Sequence, residues 1–319
     1  MRIIGPDEMV FGVDNVEASK QFLLDYGLKQ VSDDFFEALD GTGIRVMARD
    51  DESLPAALET GATIRQTVYG VEDTATIDAI EAEMKTDREV LRDAAGAITF
   101  VDDLGMALKF QVTARRTLDL PPELVNSPGA KPGRAMNQLG ASQDAPALPR
   151  TLSHIVYFTP DVDKHETFYR ERLGFILTDR FTGVGPFLRP QACQDHHTLF
   201  MLQTPPFMQG LEHLAFHMQG PTELMLAGSR LVQKGWESFW GPGRHKFGSN
   251  WFWYFNCPLM VHFEYDADMD IHDDNWTPRE TEVSPEASQV FLFENVEKWS
   301  PGDNPPPNTN DGMTNKEDN

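Results

Sequence analysis

Three side chains in the second half of the chain sit oddly among their neighbours and are suited to hold a metal ion. His154 lies in LSHIVYF, His213 in LEHLAFHM and Glu264 in VHFEYD, each inside an apolar, β-branched or aromatic run that reads as a strand. A carboxylate in a strand built for burial is costly unless a cation or strong donors stand beside it. Two imidazoles and one carboxylate, arriving from three strands, provide that partner by sharing one divalent ion and leave coordination positions open. Such a facial set suits non-haem Fe(II) that meets O2, while Zn(II) and Mn(II) accept the same residue types. A lone strand histidine is more often a hydrogen-bonded core residue. Three such residues at equivalent places in a repeat, one of them acidic, turn the balance towards a site.

Spacing separates these residues from their neighbours. His213 and His217 fall on one strand face four residues apart, roughly 13 Å at about 3.3 Å per residue, too far to share an ion. His217 is therefore expected at the surface or the cavity edge. His196 and His197 are adjacent and expected on opposite faces, so that only one enters the site. His262 shares a face with Glu264 and could line the cavity. Glu264 itself lies on the return arm of a hairpin: Trp251–Phe255 runs out, Asn256-Cys257-Pro258 turns, and Val261–Tyr265 comes back. Tyr254 faces the Glu264 side if the connection has an odd number of residues.

The elements that must position these groups recur. Residues 7–113 alternate strands (Met9–Val13, Glu37–Leu39, Ile44–Ala48, Ile64–Val71, Ile98–Val101, Ala107–Val112) with helices over 16–28 and 73–84. Ala18, Phe22, Leu23 and Tyr26 share a helical face, and Gly27 ends the helix. Residues 114–150 are rich in Pro, Gly, Ser and Ala and read as a linker. The programme then restarts with Ser153–Thr159, a helix over 162–173, strands near Ile176–Asp179 and Thr198–Leu202, His213–Met218, and a helix over 221–234. MVFGVDNVEASKQFLLDYGL and IVYFTPDVDKHETFYRERLGF match element for element, an internal repeat. The expected class is α+β, four βαβββ units in two pairs. The domains are 1–113, a linker 114–150, 151–274, and an extension 275–319 in which Gln289–Glu294 could add an edge strand and the last dozen residues are disordered.

At 319 residues with 40% apolar and 24% charged residues, the chain has the composition of a globular protein of two domains. A net charge of −23 argues against nucleic acid or an anionic membrane as partner. Cys193 and Cys257 form no CxxC pair, no run approaches about 18 apolar residues, and the amino terminus lacks a secretory pattern. The expected setting is the reducing cytoplasm.

Residues 151–266 resemble the type I extradiol ring-cleavage dioxygenases of the vicinal oxygen chelate superfamily, and residues 1–113 do so in architecture. The resemblance rests on HIVYF at His154, HHTLF at 196–200, EHLAF at His213, GPGRH ending at His245, and Tyr254 and Glu264 following at spacings of nine and ten. It implies an open, barrel-like mixed sheet around a cavity in each domain and Fe(II), or Mn(II), on His154, His213 and Glu264. It makes His197, rather than His196, the acid–base residue on the oxygen side, and His245 and Tyr254 the contacts to the substrate oxygens. The implied reaction opens a catechol ring with O2 beside the two hydroxyl-bearing carbons, in a homo-oligomer. A metal-dependent isomerase, hydrolase or lyase of the same fold, and a non-catalytic small-molecule binder, are the alternatives; His197, His245 and Tyr254 together favour the dioxygenase. Phe187 and Phe200 would wall the ring, and Arg189 or Arg244 would meet any anionic substituent. In the first half the ligand positions are expected to hold Glu8, Gln66 and about Gln111, a set that binds no metal.

Overall fold

The chain folds as two mixed sheets, each built from two βαβββ units, in a computed structural model that describes residues 1–293. The tail expected to be disordered, and Glu294 at the end of the expected edge strand, lie outside the described residues. The first sheet has eight strands with Ile3–Val13 and Ile64–Val71 paired antiparallel at its centre. The second has ten, in the order Arg279–Glu282, Ile176–Thr182, Gly185–Arg189, Leu199–Gln203, Thr151–Thr159, Gly210–His217, His262–Ala267, Trp251–Asn256, Ser238–His245 and Gln289–Leu292. Neither sheet closes into a barrel; both are open and mixed, the α+β class expected.

Local chemistry fixes the helices. Asn15 caps Val16–Tyr26 by accepting from the Ala18 amide, and Gly27, at φ 104°, returns the chain in the left-handed conformation that suits glycine. Asp73 and Asp161 cap Thr74–Met84 and Val162–Thr167 in the same way. The latter continues as a π-helical turn over Phe168–Arg172. Pro221 opens Pro221–Gln233, and Gly228 within that helix lets the Trp253 ring lie against its backbone, where a Cβ would collide.

Besides the two-residue strands Lys29–Gln30 and Leu91–Arg92, three longer strands escape the sequence reading: Gly185–Arg189, Ser238–His245 and Arg279–Glu282. Gly and Pro, or charge, dilute their β-propensity, and pairing with neighbours overrides it. Gln289–Leu292 does add an edge strand, antiparallel to Ser238–His245.

The apolar cores of the two halves are continuous. Tyr26 of the first helix stacks on Tyr265 at 4.1 Å. Its hydroxyl donates to the Glu264 carbonyl at 2.6 Å, and Tyr265 donates back to the Tyr26 carbonyl at 2.7 Å. The first half thus braces the strand that carries Glu264.

Candidate metal centre

Thr151–Thr159, Gly210–His217 and His262–Ala267 are neighbours at the centre of the second sheet. Their register sets His154 opposite Ala215 and Ala215 opposite Glu264. His213 stands two residues earlier on the middle strand, in unbroken register opposite Val156. Aromatic and β-branched neighbours bury all three, with exposures of 2%, 7% and 0%. Glu264 Oε2 lies 3.0 Å from His154 Nε2 and 3.4 Å from His213 Nε2, and the two nitrogens are 3.4 Å apart. A triangle of that size matches three mutually adjacent ligand atoms, each about 2.1 Å from one ion. Both Glu264 carboxylate oxygens are buried without a hydrogen-bond donor, although native structures seldom leave such atoms unsatisfied. The donor set therefore fits a divalent metal.

Partners behind the triangle aim the imidazoles. Ser153 Oγ donates to Asp266 Oδ2 at 2.9 Å, so its oxygen accepts from His154 Nδ1 at 3.0 Å and Nε2 is the nitrogen left for the site. Glu212 takes His213 Nδ1 on one carboxylate oxygen and His262 Nδ1, at 2.7 Å, on the other. Burial alone would push the His154 imidazole down, but Glu264 and Asp266 outweigh it and hold it up at about 9. Burial would push Glu212 up, but His213 and His262 draw it down to about 2.

A cavity of about 290 Å³ opens over the triangle. Phe187 and Phe200 stack at 4.0 Å in its wall, and Phe181 and Phe247 continue it. Tyr254 pairs directly with Glu264 and so faces the same side; five residues separate the two arms. His245 Nδ1 donates to the Ser288 carbonyl at 3.1 Å, which leaves Nε2 to accept from the Tyr254 hydroxyl, also at 3.1 Å. Burial first, then Glu264, pushes the Tyr254 phenol well up, so it keeps its proton. His197 reaches the cavity from the opposite wall, its ring 4.4 Å from His154. Burial, then the neighbouring imidazoles beginning with His154, pushes it well below the usual histidine range.

Several expectations need correction. Only one of His196 and His197 enters the cavity, as expected, and it is His197, but strand alternation is not the reason: both precede the strand Leu199–Gln203, and their Nδ1 atoms meet at 2.9 Å. His217 is half-buried, its side chain 18% exposed, and satisfied by Asp266 Oδ1 at 2.8 Å and Asp195 Oδ2 at 3.4 Å; it does not line the cavity. His262 stands behind His213 through Glu212 instead of lining the cavity. Arg189 is committed to Asp274 and the Cys193 carbonyl, and Arg244 to Asp268 and the Trp251 face; neither lines the cavity. In the first half the matching ladder row is Glu8–Val68–Lys109, so Lys109 rather than Gln111 stands where Glu264 does. Glu212 and Asp266 escaped the sequence reading although each had a signal, one adjacent to His213 and the other two residues from Glu264 on the same strand face.

Residues 151–264 match the model of the Glyoxalase/Bleomycin resistance protein/Dioxygenase superfamily. The chain is 35% identical over 150 residues to a Cupriavidus necator protein named metapyrocatechase 2, covering 47% of this chain and 45% of that one. It is 32% identical over 96 residues to a manganese-dependent 2,3-dihydroxybiphenyl 1,2-dioxygenase of Geobacillus genomosp. 3, covering 30% of each. The matched stretches thus span less than half the length of these curated relatives. In three dimensions it is similar to a Mn(II)-bound glyoxalase from Novosphingobium aromaticivorans, with a TM-score of 0.69 at 24% identity over 90% of both chains, a likeness of fold.

Proposed function

With residues 151–264 as a domain of that superfamily, we propose that this chain is an extradiol dioxygenase. It opens the ring of a catecholic aromatic with O2, beside the two hydroxyl-bearing carbons, to a muconic semialdehyde-type product. The observation that carries the reading is the buried His154–His213–Glu264 triangle under an aromatic cavity, with His197 on one wall and the Tyr254–His245 pair on the other. His154, His213 and Glu264 hold the metal, Fe(II) in this proposal. Mn(II) is the second ion that fits, supported by the relative named as manganese-dependent. When bound, the ion supplies a Lewis-acid centre at which both catechol oxygens and O2 are brought together.

The chain's own residues do the rest. His245 Nε2 carries no hydrogen, because Nδ1–H is committed to the Ser288 carbonyl, and it accepts from the Tyr254 hydroxyl. When a catechol enters, Nε2 takes a proton leaving it and the Tyr254 hydroxyl turns to donate to the same oxygen. His197 enters neutral on the oxygen side, where it takes up a proton and returns it. Phe187 and Phe200 orient the flat ring and exclude water. Among the described residues no Lys or Arg lines the cavity. Catechols with neutral, apolar substituents are therefore the substrates, and carboxylated ones are rejected for want of a counter-charge. A homo-oligomer is part of the proposal and is measured by light scattering.

The test is anaerobic loading with Fe(II), then admission of air with a panel of neutral and carboxylated catechols. A yellow ring-fission product with matching O2 uptake, at least tenfold faster for the neutral members, is expected. Bound metal with no turnover of any member overturns the reading.

A further inference from the structure

Behind His197 lies a file of polar side chains that the reaction above does not use. His196 Nδ1 meets His197 Nδ1 at 2.9 Å, and His196 Nε2 meets Asp179 Oδ2 at 2.7 Å. Asp179 in turn accepts from Arg279: the backbone amide at 2.8 Å, Nε at 3.1 Å and a terminal nitrogen at 2.5 Å. His196 and Asp179 are 0% exposed. The Arg279 guanidinium lies between the Phe247 and Trp276 rings, 4.8 and 4.9 Å from their centroids. Trp276 donates to the Thr178 carbonyl, so the returning C-terminal segment is pinned to the strand that bears Asp179.

The direction of each bond follows from what each group can give. Asp179, facing a guanidinium and a backbone amide, is an ionised acceptor, so His196 Nε2 carries a hydrogen. A neutral His196 then has a bare Nδ1. Two bare nitrogens do not bond, so the hydrogen between the rings belongs to His197 Nδ1. That leaves His197 Nε2 as a lone pair, and among the described residues no protein group is hydrogen-bonded to it. We propose that His196, Asp179 and Arg279 are positioning residues that fix the tautomer and orientation of His197, presenting a bare Nε2 to the cavity. The proposal rests on the reading of His197 as the oxygen-side acid–base group. No proton leaves the file in a turnover: His197 accepts at Nε2 and gives back from Nε2 while its Nδ1–H stays on His196.

Two substitutions at His196 separate positioning from packing. His196→Phe keeps an aromatic ring beside Phe187 and removes the acceptor. His196→Asn loses the ring but places an amide oxygen near the position of Nδ1. The holoenzyme with the His196→Phe change is expected to lose kcat about 10- to 100-fold with KM within about threefold, the scale of removing an outer-shell partner. His196→Asn should recover much of that loss. A packing role predicts the reverse order, and Phe as active as the parent, or Asn slower than Phe, overturns the proposal. His197→Ala is measured in parallel, with an expected loss of about 100-fold or more in kcat. If that variant turns over like the parent, the role given to His197 fails. The 15N shifts of the His197 ring in Zn(II)-loaded protein then decide the file by themselves: a protonated Nδ1 supports it and a protonated Nε2 overturns it.

Discussion

The first and second halves of this chain run through the same succession of strands and helices and end with different chemistry on the same rows. In the second half the row His154–Ala215–Glu264, with His213 two residues off it, gathers three ligand atoms within 3.0–3.4 Å. In the first half the corresponding row is Glu8–Val68–Lys109, with Gln66 in the place of His213. There Glu8 spends its charge on Arg45, Nε to Oε1 at 2.5 Å, and Arg45 also meets Asp34. A carboxylate with a guanidinium beside it needs no further cation, whereas Glu264 has no donor. The repeat supplies the scaffold, and partner choice at a few positions decides which copy can bind an ion. The first half contributes from a distance, through Tyr26 on the Glu264 carbonyl.

The comparison breaks most visibly at Glu264. Glu264→Gln keeps the shape and removes the charge, and it should abolish turnover and lower metal content from one ion per chain to near zero, read by elemental analysis after desalting. Retention of a full equivalent would mean that the ion sits elsewhere. Next in size is Glu212→Gln, which leaves the triangle intact but weakens the acceptor behind His213 Nδ1. Metal affinity should fall about 10- to 100-fold, measured by competition with a chelator. An unchanged affinity would make Glu212 a brace for His262 alone.

Much of this contrast was readable in the sequence, and the reason is local. His154, His213 and Glu264 each interrupt an apolar run, so a single strand's pattern exposes them, and the repeat aligns His154 with Glu8 directly. The supports were not readable, because their partners are distant in the chain. Asp179 and Arg279 are 100 residues apart and meet only because Arg279–Glu282 pairs parallel with Ile176–Thr182. His196 was assigned a face by strand alternation that stops short of it, since the strand begins at Leu199. The register between the first half's strands also hid Lys109, because the bulges in Ile3–Val13 shift the row in a way that composition does not signal.

Acidity gives a smaller and more graded test. With His154 held at about 9 by Glu264 and Asp266, its folded value lies above the ordinary one of about 6.5. The protonated ring therefore stabilises metal-free protein fully below about pH 6.5, and that contribution is lost as pH rises through about 9. His217, raised by the same Asp266 and by Asp195, moves in the same direction. A metal needs the bare His154 Nε2, so its binding strengthens over the same window. The Tm of metal-free protein should fall between pH 6.5 and 9, while the increase in Tm on adding Mn(II) grows. A metal-free Tm that rises across this range would refute the charge pattern.

The smallest effect belongs to the other half, and a small value there is informative. Glu8→Gln removes the ion pair with Arg45 on the row that matches His154, where the side chains are 17% and 31% exposed. A pair that open to water contributes about 0–1 kcal/mol, so the midpoint of urea unfolding should shift only slightly. Metal content should remain at one ion per chain and kcat should stay within about twofold, because the first half meets the strand that carries Glu264 through Tyr26 rather than Glu8. A lost metal equivalent in Glu8→Gln would mean that the first half holds an ion of its own, and the two rows would then differ in affinity instead of in kind.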